Sequence, residues 1–139
     1  MRQLFLLLIL AWSAHAHSQT ASVQTAPLQA AGTTPLDIVK LRMERYNAQQ
    51  LDAIMALYSE DVAIYTYPDT LIGKGRDHLR AVLQSTFKDS SPVTVTTQIA
   101  QGDYVISQER VRYGGTAKQY VSIYEVRDGL IRSVKFIRE

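Results

Sequence analysis

The C-terminal third of the chain constrains the fold most, because it contains consecutive strand-like segments joined by tight turns. Three segments rich in β-branched and aromatic residues follow one another, at residues 104–113, 117–126 and 130–137. Gly114-Gly115 and Asp128-Gly129 separate these segments, and both pairs tolerate the positive φ angles that two-residue hairpin loops require. The pattern predicts an antiparallel meander, one face of which other elements must cover.

The residues before the meander supply helices that can cover it. Apolar residues recur at helical spacing in three stretches, which predicts helices at residues 35–47, 51–58 and 77–87. In the third helix, Val82 and Leu83 are both predicted to face the core. Thr34 is suited to cap the first helix and Pro35 to begin it. Strands are predicted at residues 62–67 and 93–100, and a turn at Gly73-Lys74-Gly75. The order α-α-β-α-β-β-β-β predicts an α+β domain with a mostly antiparallel sheet.

The N-terminus has the pattern of an export signal. Arg2 provides a positive charge, residues 4–12 form an unbroken apolar run, and Ala14 and Ala16 form a small-x-small cleavage pattern. The alternative is a membrane anchor, but a spanning helix needs about 20 apolar residues. We therefore expect a signal peptide at residues 1–16 and a secreted or periplasmic protein.

The division of the remaining chain follows from composition. Residues 17–33 are small, polar and aperiodic, which predicts a flexible leader. Residues 34–139 are then long enough for one domain with a single core.

Charge and composition exclude several classes of function. The chain has 15 basic and 13 acidic residues with no long run of one sign, so we expect neither a nucleic-acid partner nor, after signal cleavage, a membrane partner. It has no cysteine and only 3 histidines, whereas zinc and iron sites take several such ligands. We therefore expect no metal and no cofactor.

Several local strings match those of one known superfamily. They are YNA at residues 46–48, LDAIMALY at 51–58, GKG at 73–75, IYEV at 123–126 and DGLI at 128–131. With the order of elements, they resemble the nuclear transport factor 2 superfamily, specifically its SnoaL-like and ketosteroid-isomerase-like branch. The resemblance covers residues 35–139. It implies a cone-shaped half-barrel, in which a curved sheet wraps around the N-terminal helices and a pocket opens at the wide end. Such proteins are often homodimers.

The catalytic residues of the steroid isomerases in this branch do not carry over. Those enzymes use a tyrosine and a protonated carboxyl group as oxyanion donors, and a second carboxylate as base. Alignment places Arg42 at the tyrosine position, Thr66 or Tyr67 at the base and Ser122 at the acid. The resemblance therefore does not imply steroid isomerisation by that set. Histidine-dependent dehydration is equally unsupported, because His78 alone is available and is expected to be solvated.

The same alignment places other candidate residues in the pocket of the cone. It places Ser107 and Glu109 on the inner face of one strand, and Tyr120, Ser122 and Tyr124 on that of the next. Glu109 is the candidate catalytic acid or base. The alternative is a solvated carboxylate, because a single bulge would reverse the faces of the strand.

Arg42 and a group of tyrosines complete the predicted ligand site. If the first helix lines the cone, Arg42 points inward and needs a partner, for which we favour Glu109 over a ligand carboxylate. Tyr65, Tyr67 and Tyr124 are predicted to supply aromatic walls with polar tips, and Tyr46 is a further candidate for ligand binding. The alternatives are an exposed arginine on the back of the helix and tyrosines that belong to the ordinary core.

Two functions of different classes remain open. The first is a domain that binds a small, partly apolar organic molecule, with or without acid-base activity, in a cavity of at least about 300 Å³. The second is a non-catalytic dimerisation or interaction module with a vestigial pocket, which uses the outer face of the sheet. An isomerase, cyclase or hydrolase with an unfamiliar catalytic set is a third possibility.

Overall fold

A computed structural model describes residues 32–138. The helices are α1 (Pro35–Asn47), α2 (Leu51–Met55) and α3 (Arg76–Asp89). The strands are β1 (Tyr58–Thr66), β2 (Thr70–Lys74), β3 (Thr94–Gln101), β4 (Tyr104–Tyr113), β5 (Thr116–Arg127) and β6 (Leu130–Arg138). The signal peptide expected at residues 1–16 and the leader residues 17–31 lie outside the described residues.

The first helix begins where its capping residues predict. The Thr34 hydroxyl accepts a hydrogen bond from the backbone N–H of Asp37 at 3.2 Å, and the Asp37 carboxylate accepts one from the backbone N–H of Thr34 at 2.9 Å. This reciprocal pair satisfies two N–H groups that a helix start leaves unpaired. The buried stripe of α1 consists of Ile38, Val39, Arg42, Met43 and Tyr46.

The six strands form one curved, unclosed sheet in the order β2-β1-β6-β5-β4-β3. All neighbouring pairs are antiparallel except β1 and β6, which run parallel. The β4–β5 turn has positive φ at Gly114 and Gly115, and the β5–β6 turn has positive φ at Asp128 and Gly129. The predicted meander and its two hairpin turns are thus confirmed.

The helices cover the inner face of the sheet, which gives the predicted α+β cone fold. α1 packs on β4 and β5, and α3 packs on β1 and β2. Buried side chains of α1 and α3 form one core with those of the strands. Between residues 32 and 138, no helix combines the length and apolar character needed to cross a membrane.

Two predicted elements differ in the structure. The second helix ends at Met55, and Tyr58 begins β1, where it pairs with Ile131 of β6. Residues 70–74, around the predicted turn, form the edge strand β2 against β1. Both differences have one cause, because long-range strand pairing overrides the local preference for a helix or a turn.

The orientation of α3 corrects a further expectation. Val82 and Leu83 were both expected to face the core, but Leu83 is 5% exposed and Val82 is 44% exposed. Adjacent helical residues are about 100° apart around the axis, so only one of the two can point directly at the sheet.

Candidate functional site

A cavity of about 220 Å³ lies between α1, α3 and the inner face of the sheet. Three cross-strand rows of β4, β5 and β6 lead from the core toward it: Val105, Tyr124 and Val134; then Ser107, Ser122 and Phe136; then Glu109, Tyr120 and Arg138. The first row is almost fully buried, and all three members of the last row line the cavity. The alternation along each strand therefore delivers polar groups to one end of an apolar core.

Glu109 projects a buried carboxyl group into this cavity. Its side chain is only 6% exposed, and its Oε1 accepts a hydrogen bond from the Tyr124 hydroxyl at 2.8 Å. Burial raises the pKa of Glu109, and this effect outweighs the nearby Arg42 charge and the Tyr124 hydrogen bond, which both lower it. Glu109 therefore retains its proton to a higher pH than an exposed glutamate does.

Arg42 brings a buried guanidinium group to the same cavity from α1. Its Nε donates to the Tyr58 hydroxyl at 3.0 Å, and its Nη1 points at the Met43 sulfur at 3.2 Å. The guanidinium carbon lies 5.0 Å from the ring centre of Tyr46 and 5.7 Å from that of Tyr124. Such ring faces stabilise a cation, and more so where water is excluded.

The direct ion pair expected between Arg42 and Glu109 is absent. Within residues 32–138, no carboxylate oxygen lies within 4.0 Å of the Arg42 nitrogens, and all ion pairs found there involve other residues. Tyr58 and Tyr124 explain the separation, because each hydroxyl bonds to one member of the expected pair. Arg42 and Glu109 thus share a cavity without touching.

Four other predicted site residues lie at different depths. Tyr46 lines the cavity, and its hydroxyl donates to the Ser90 Oγ at 3.2 Å. Tyr124, Ser107 and Ser122 are fully buried beneath the cavity rather than among its lining residues. Tyr124 therefore influences the cavity through its hydrogen bond to Glu109.

The two serines differ in their hydrogen bonds. The Ser107 hydroxyl accepts a hydrogen bond from the Gln98 amide at 2.9 Å. The buried Ser122 hydroxyl has no hydrogen-bond partner at standard geometry in the described part of the chain, but it lies close enough to Glu109 to lower the pKa of that carboxyl group.

Tyr67 does not line the cavity, contrary to our expectation. It is 58% exposed and directly follows the end of β1, where Pro68 begins the turn into β2. Its backbone N–H still donates to the Phe136 carbonyl of β6, and because Ile64 faces the cavity, alternation along the strand turns Tyr67 to the outer face. Thr66, aligned with the base of the steroid isomerases, is also absent from the cavity lining.

Several residues that line the cavity were not assigned to it from the sequence. Tyr58 was assigned to a helix, although its hydroxyl holds Arg42. His78 is exposed, as expected, but it also lines the cavity and packs so closely on Gly73 that a Cβ there would overlap its imidazole ring. Alternation along β5 already placed Tyr120 on the inner face, and the same count extended along β4 would have included Tyr113.

Comparison with known proteins now identifies the fold and family. The family model of the SnoaL-like domain matches residues 39–134. No curated protein matches the chain.

Solved structures share the fold at low sequence identity. An uncharacterized cystatin-fold protein from Novosphingobium aromaticivorans superposes with a TM-score of 0.71 at 22% identity, over 77% of this chain and 100% of that one. A nuclear transport factor 2-like protein of unknown function from Cytophaga hutchinsonii gives 0.68 at 15% identity, over 76% and 90%. An epoxide hydrolase from M. tuberculosis, of the type abbreviated LEH-like, gives 0.64 at 16% identity, over 76% and 82%. The match to the family model spans most of the chain, which therefore belongs to the SnoaL-like domain family within the nuclear transport factor 2 superfamily.

Proposed function

We propose that this protein binds a small, partly apolar organic molecule in the cavity and uses Glu109 to exchange a proton with it. The observation that carries the proposal is a buried carboxyl group at the end of an apolar core, facing the same space as a buried arginine. Enclosed cavities with apolar walls and a few convergent polar groups are typical of small-molecule sites. The SnoaL-like fold also supports a small-molecule-binding domain.

The size of the cavity limits the ligand. Its volume of about 220 Å³ is below the lower limit of about 300 Å³ that we expected for a ligand site from the sequence, so that expectation was wrong. About seven water molecules fill the same volume in liquid water, at ~30 Å³ each. A molecule with a single ring or a short chain therefore fits inside the cavity, whereas a steroid would extend beyond it into solvent.

Glu109 has the environment of a general acid. Burial favours its neutral form, so at the same pH it holds a proton that an exposed glutamate has released. After donation, the carboxylate keeps the Tyr124 hydrogen bond and remains in the field of Arg42. Both limit the cost of the charge that forms, which also lets Glu109 take the proton back.

Turnover and binding measured together test this proposal. Purified protein is screened against small carbonyl compounds, epoxides and lactones, first by thermal shift and then by product formation. We expect at least one class to bind and react, and Glu109→Gln to abolish the reaction while binding persists. Glu44→Gln, which removes an exposed carboxylate of α1, is the control and should behave as wild type. Failure of every compound small enough for the cavity to bind would refute the proposed function.

We further propose that this activity operates outside the cytoplasm, in the periplasm or in secreted form. The support is the charged, then apolar, then small-residue pattern of residues 1–16. Fusion of residues 1–20 to a reporter should export the reporter and remove the first sixteen residues. An uncleaved fusion that stays in the membrane would indicate an anchor instead.

A second candidate function, a dimerisation module, is favoured by the outer face of the sheet. Ile99, Ile106 and Ile123 lie side by side on β3, β4 and β5 on that face. Ile99 is 60% exposed and Ile106 is 41% exposed. Neighbouring apolar side chains in solvent mark an interaction surface, for which a second copy of this chain is the proposed partner.

A further inference from the structure

We propose that the ligand of this cavity is a small organic anion, whose carboxylate is held by Arg42. The inference rests on the proposed small-molecule function and adds the charge of the ligand. Three observations carry it: the incomplete pairing of Arg42, the charges that line the cavity, and the shape of the remaining space.

Arg42 is a buried cation without a counter-charge in contact. Its side chain is 94% buried, since only 6% is exposed, yet no carboxylate oxygen of residues 32–138 lies within 4.0 Å. Of its three nitrogens, Nε bonds to the Tyr58 hydroxyl, Nη1 has only the weakly accepting sulfur of Met43, and Nη2 has no hydrogen-bond acceptor among the described residues. A guanidinium group presents its donors as a fork that matches both oxygens of a carboxylate.

The charges around the cavity favour an anion. Arg42 and Arg138 line it with His78, whereas Glu109 is the only acidic side chain among the lining residues. Glu109 is already engaged by Tyr124. With His78 counted as neutral, Arg42 and the solvent-exposed Arg138 give the lining an excess of positive charge, and a cleft lined by one sign of charge attracts the opposite sign.

The rest of the space suits an apolar body attached to that anionic group. Leu79 and Leu83 line it from α3, and Val134 and Phe136 line it from β6. A volume of about 220 Å³ leaves room for one ring beside the guanidinium group. Inorganic anions would meet the charge but leave these apolar walls in contact with water.

Three isosteric probes separate charge from shape. Benzoate, benzamide and benzamidine have the same number of non-hydrogen atoms and are respectively anionic, neutral and cationic at neutral pH. Their affinities for the full-length protein are measured by calorimetry at constant ionic strength. We expect benzoate to bind about ten- to a hundredfold more tightly than benzamide, as one or two charge-assisted hydrogen bonds would give. Benzamidine should bind most weakly.

Variants of two arginines test which residue causes the tighter binding of benzoate. Arg42→Met should remove the advantage of benzoate over benzamide, while Arg42→Lys should keep part of it because the charge remains. Arg110→Met is the matched control, since Arg110 is exposed on the outer face of β4, and it should leave the ratio of affinities unchanged. The three-probe series on the unmodified protein decides the matter even where an Arg42 variant does not fold.

Each other outcome counts against the inference. Equal affinities for benzoate and benzamide, or tightest binding of benzamidine, would show that the cavity does not select an anion, while leaving its small-molecule function intact. An advantage of benzoate that survives Arg42→Met would assign the anion to another group. Failure of all three probes would overturn the inference, and the wider screen of neutral compounds would then decide the proposed function separately.

Discussion

At the scale of single residues, the cavity owes its properties to two tyrosine hydroxyls that bond to different charged groups. The Tyr58 hydroxyl accepts a hydrogen bond from Arg42, and the Tyr124 hydroxyl donates one to Glu109. Each charged group therefore has a hydrogen-bond partner without a direct contact between arginine and glutamate. Burial therefore affects the pKa of Glu109 more strongly than the positive charge of Arg42 does, and the net result is a raised pKa. Its protonation is consequently coupled to folding.

The first prediction concerns that coupling. The folded pKa of Glu109 lies above its ordinary value of 4.5, so its contribution to stability is complete below about pH 4.5 and is lost as the pH rises through the folded pKa. The loss is about 1.4 kcal/mol per pH unit between the two values. Glu109→Gln stays neutral, so its free energy of unfolding should gain on that of the wild type as the pH increases. Urea titrations at a series of pH values measure the difference.

The result also reports on the pairing of Glu109. A direct ion pair with Arg42 would make Glu109→Gln destabilising at neutral pH, because a buried cation would lose its partner. Parallel stability curves for the two proteins would instead mean that the carboxyl group is solvated. The Glu44→Gln variant corrects for the general effect of removing a carboxylate.

At the scale of elements, α3 acts as the outer wall of the cavity, with adjacent residues in different environments. Leu83 is in the core, whereas Val82 is half exposed at the cavity mouth. The helix begins at Arg76, directly after β2, which sets how far it can rotate relative to the sheet. Its rotation can therefore be tested by a matched pair of substitutions.

The second prediction uses that pair. Leu83→Ala should lower the free energy of unfolding by about 2–5 kcal/mol, since it leaves a cavity in the core. Val82→Ala should change it by less than about 0.5 kcal/mol, because Val82 is 44% exposed and replacing a β-branched residue alters the helix propensity only slightly. Denaturant titration of both variants provides the measurement. Equal costs would show that α3 faces the sheet differently.

The third prediction concerns the contact between β2 and α3. Gly73→Ala places a methyl group where the His78 ring lies, so it should destabilise the protein by about 1–3 kcal/mol or displace the ring. In a His78→Ala background, the same substitution should cost much less. The thermodynamic cycle of the four proteins measures this coupling. Additive effects would mean that Gly73 is required for another reason.

Local signals were sufficient for most elements and insufficient for a few. Turn residues such as Gly114 and Asp128 specify hairpins through their own φ angles, so the meander was predictable. β2 was not predictable, because its strand conformation depends on pairing with β1. The same limit applied to the site. The alignment implied by the family resemblance placed Glu109 on the inner face, where strand alternation alone left both faces open, but Tyr58 could be assigned only once the pairing of β1 with β6 was known.

At the scale of the whole molecule, the two faces of the sheet have different environments. The inner face is covered by helices, while the outer face leaves Ile99, Ile106 and Tyr104 substantially exposed. Covering this face by a second copy would remove that apolar surface from water. Homodimerisation is therefore compatible with ligand binding on the other face.

The fourth prediction tests the outer face. If the face is the proposed dimer interface, the wild-type protein should have twice the monomer mass in light scattering coupled to size-exclusion chromatography. Ile106→Glu should then shift it to the monomer, because it places a charge within an apolar interface. Thr116→Glu adds the same charge at the exposed β4–β5 turn and should leave the mass unchanged. A wild-type protein that is monomeric at all accessible concentrations would contradict the dimer proposal.

The central position of β6 in the sheet has a consequence for how the chain acquires its structure. β6 lies between β1 and β5, although it is the last of the six described strands in chain order. Before it emerges, β1 with β2 and β3 with β4 and β5 can form only two separate pieces, neither with a complete core. Contacts such as that of Tyr58 with Ile131 close long loops, which slows folding. We therefore expect the sheet to stay incomplete until β6 is available, and for the export proposed above this delay would keep the chain competent to thread through a channel.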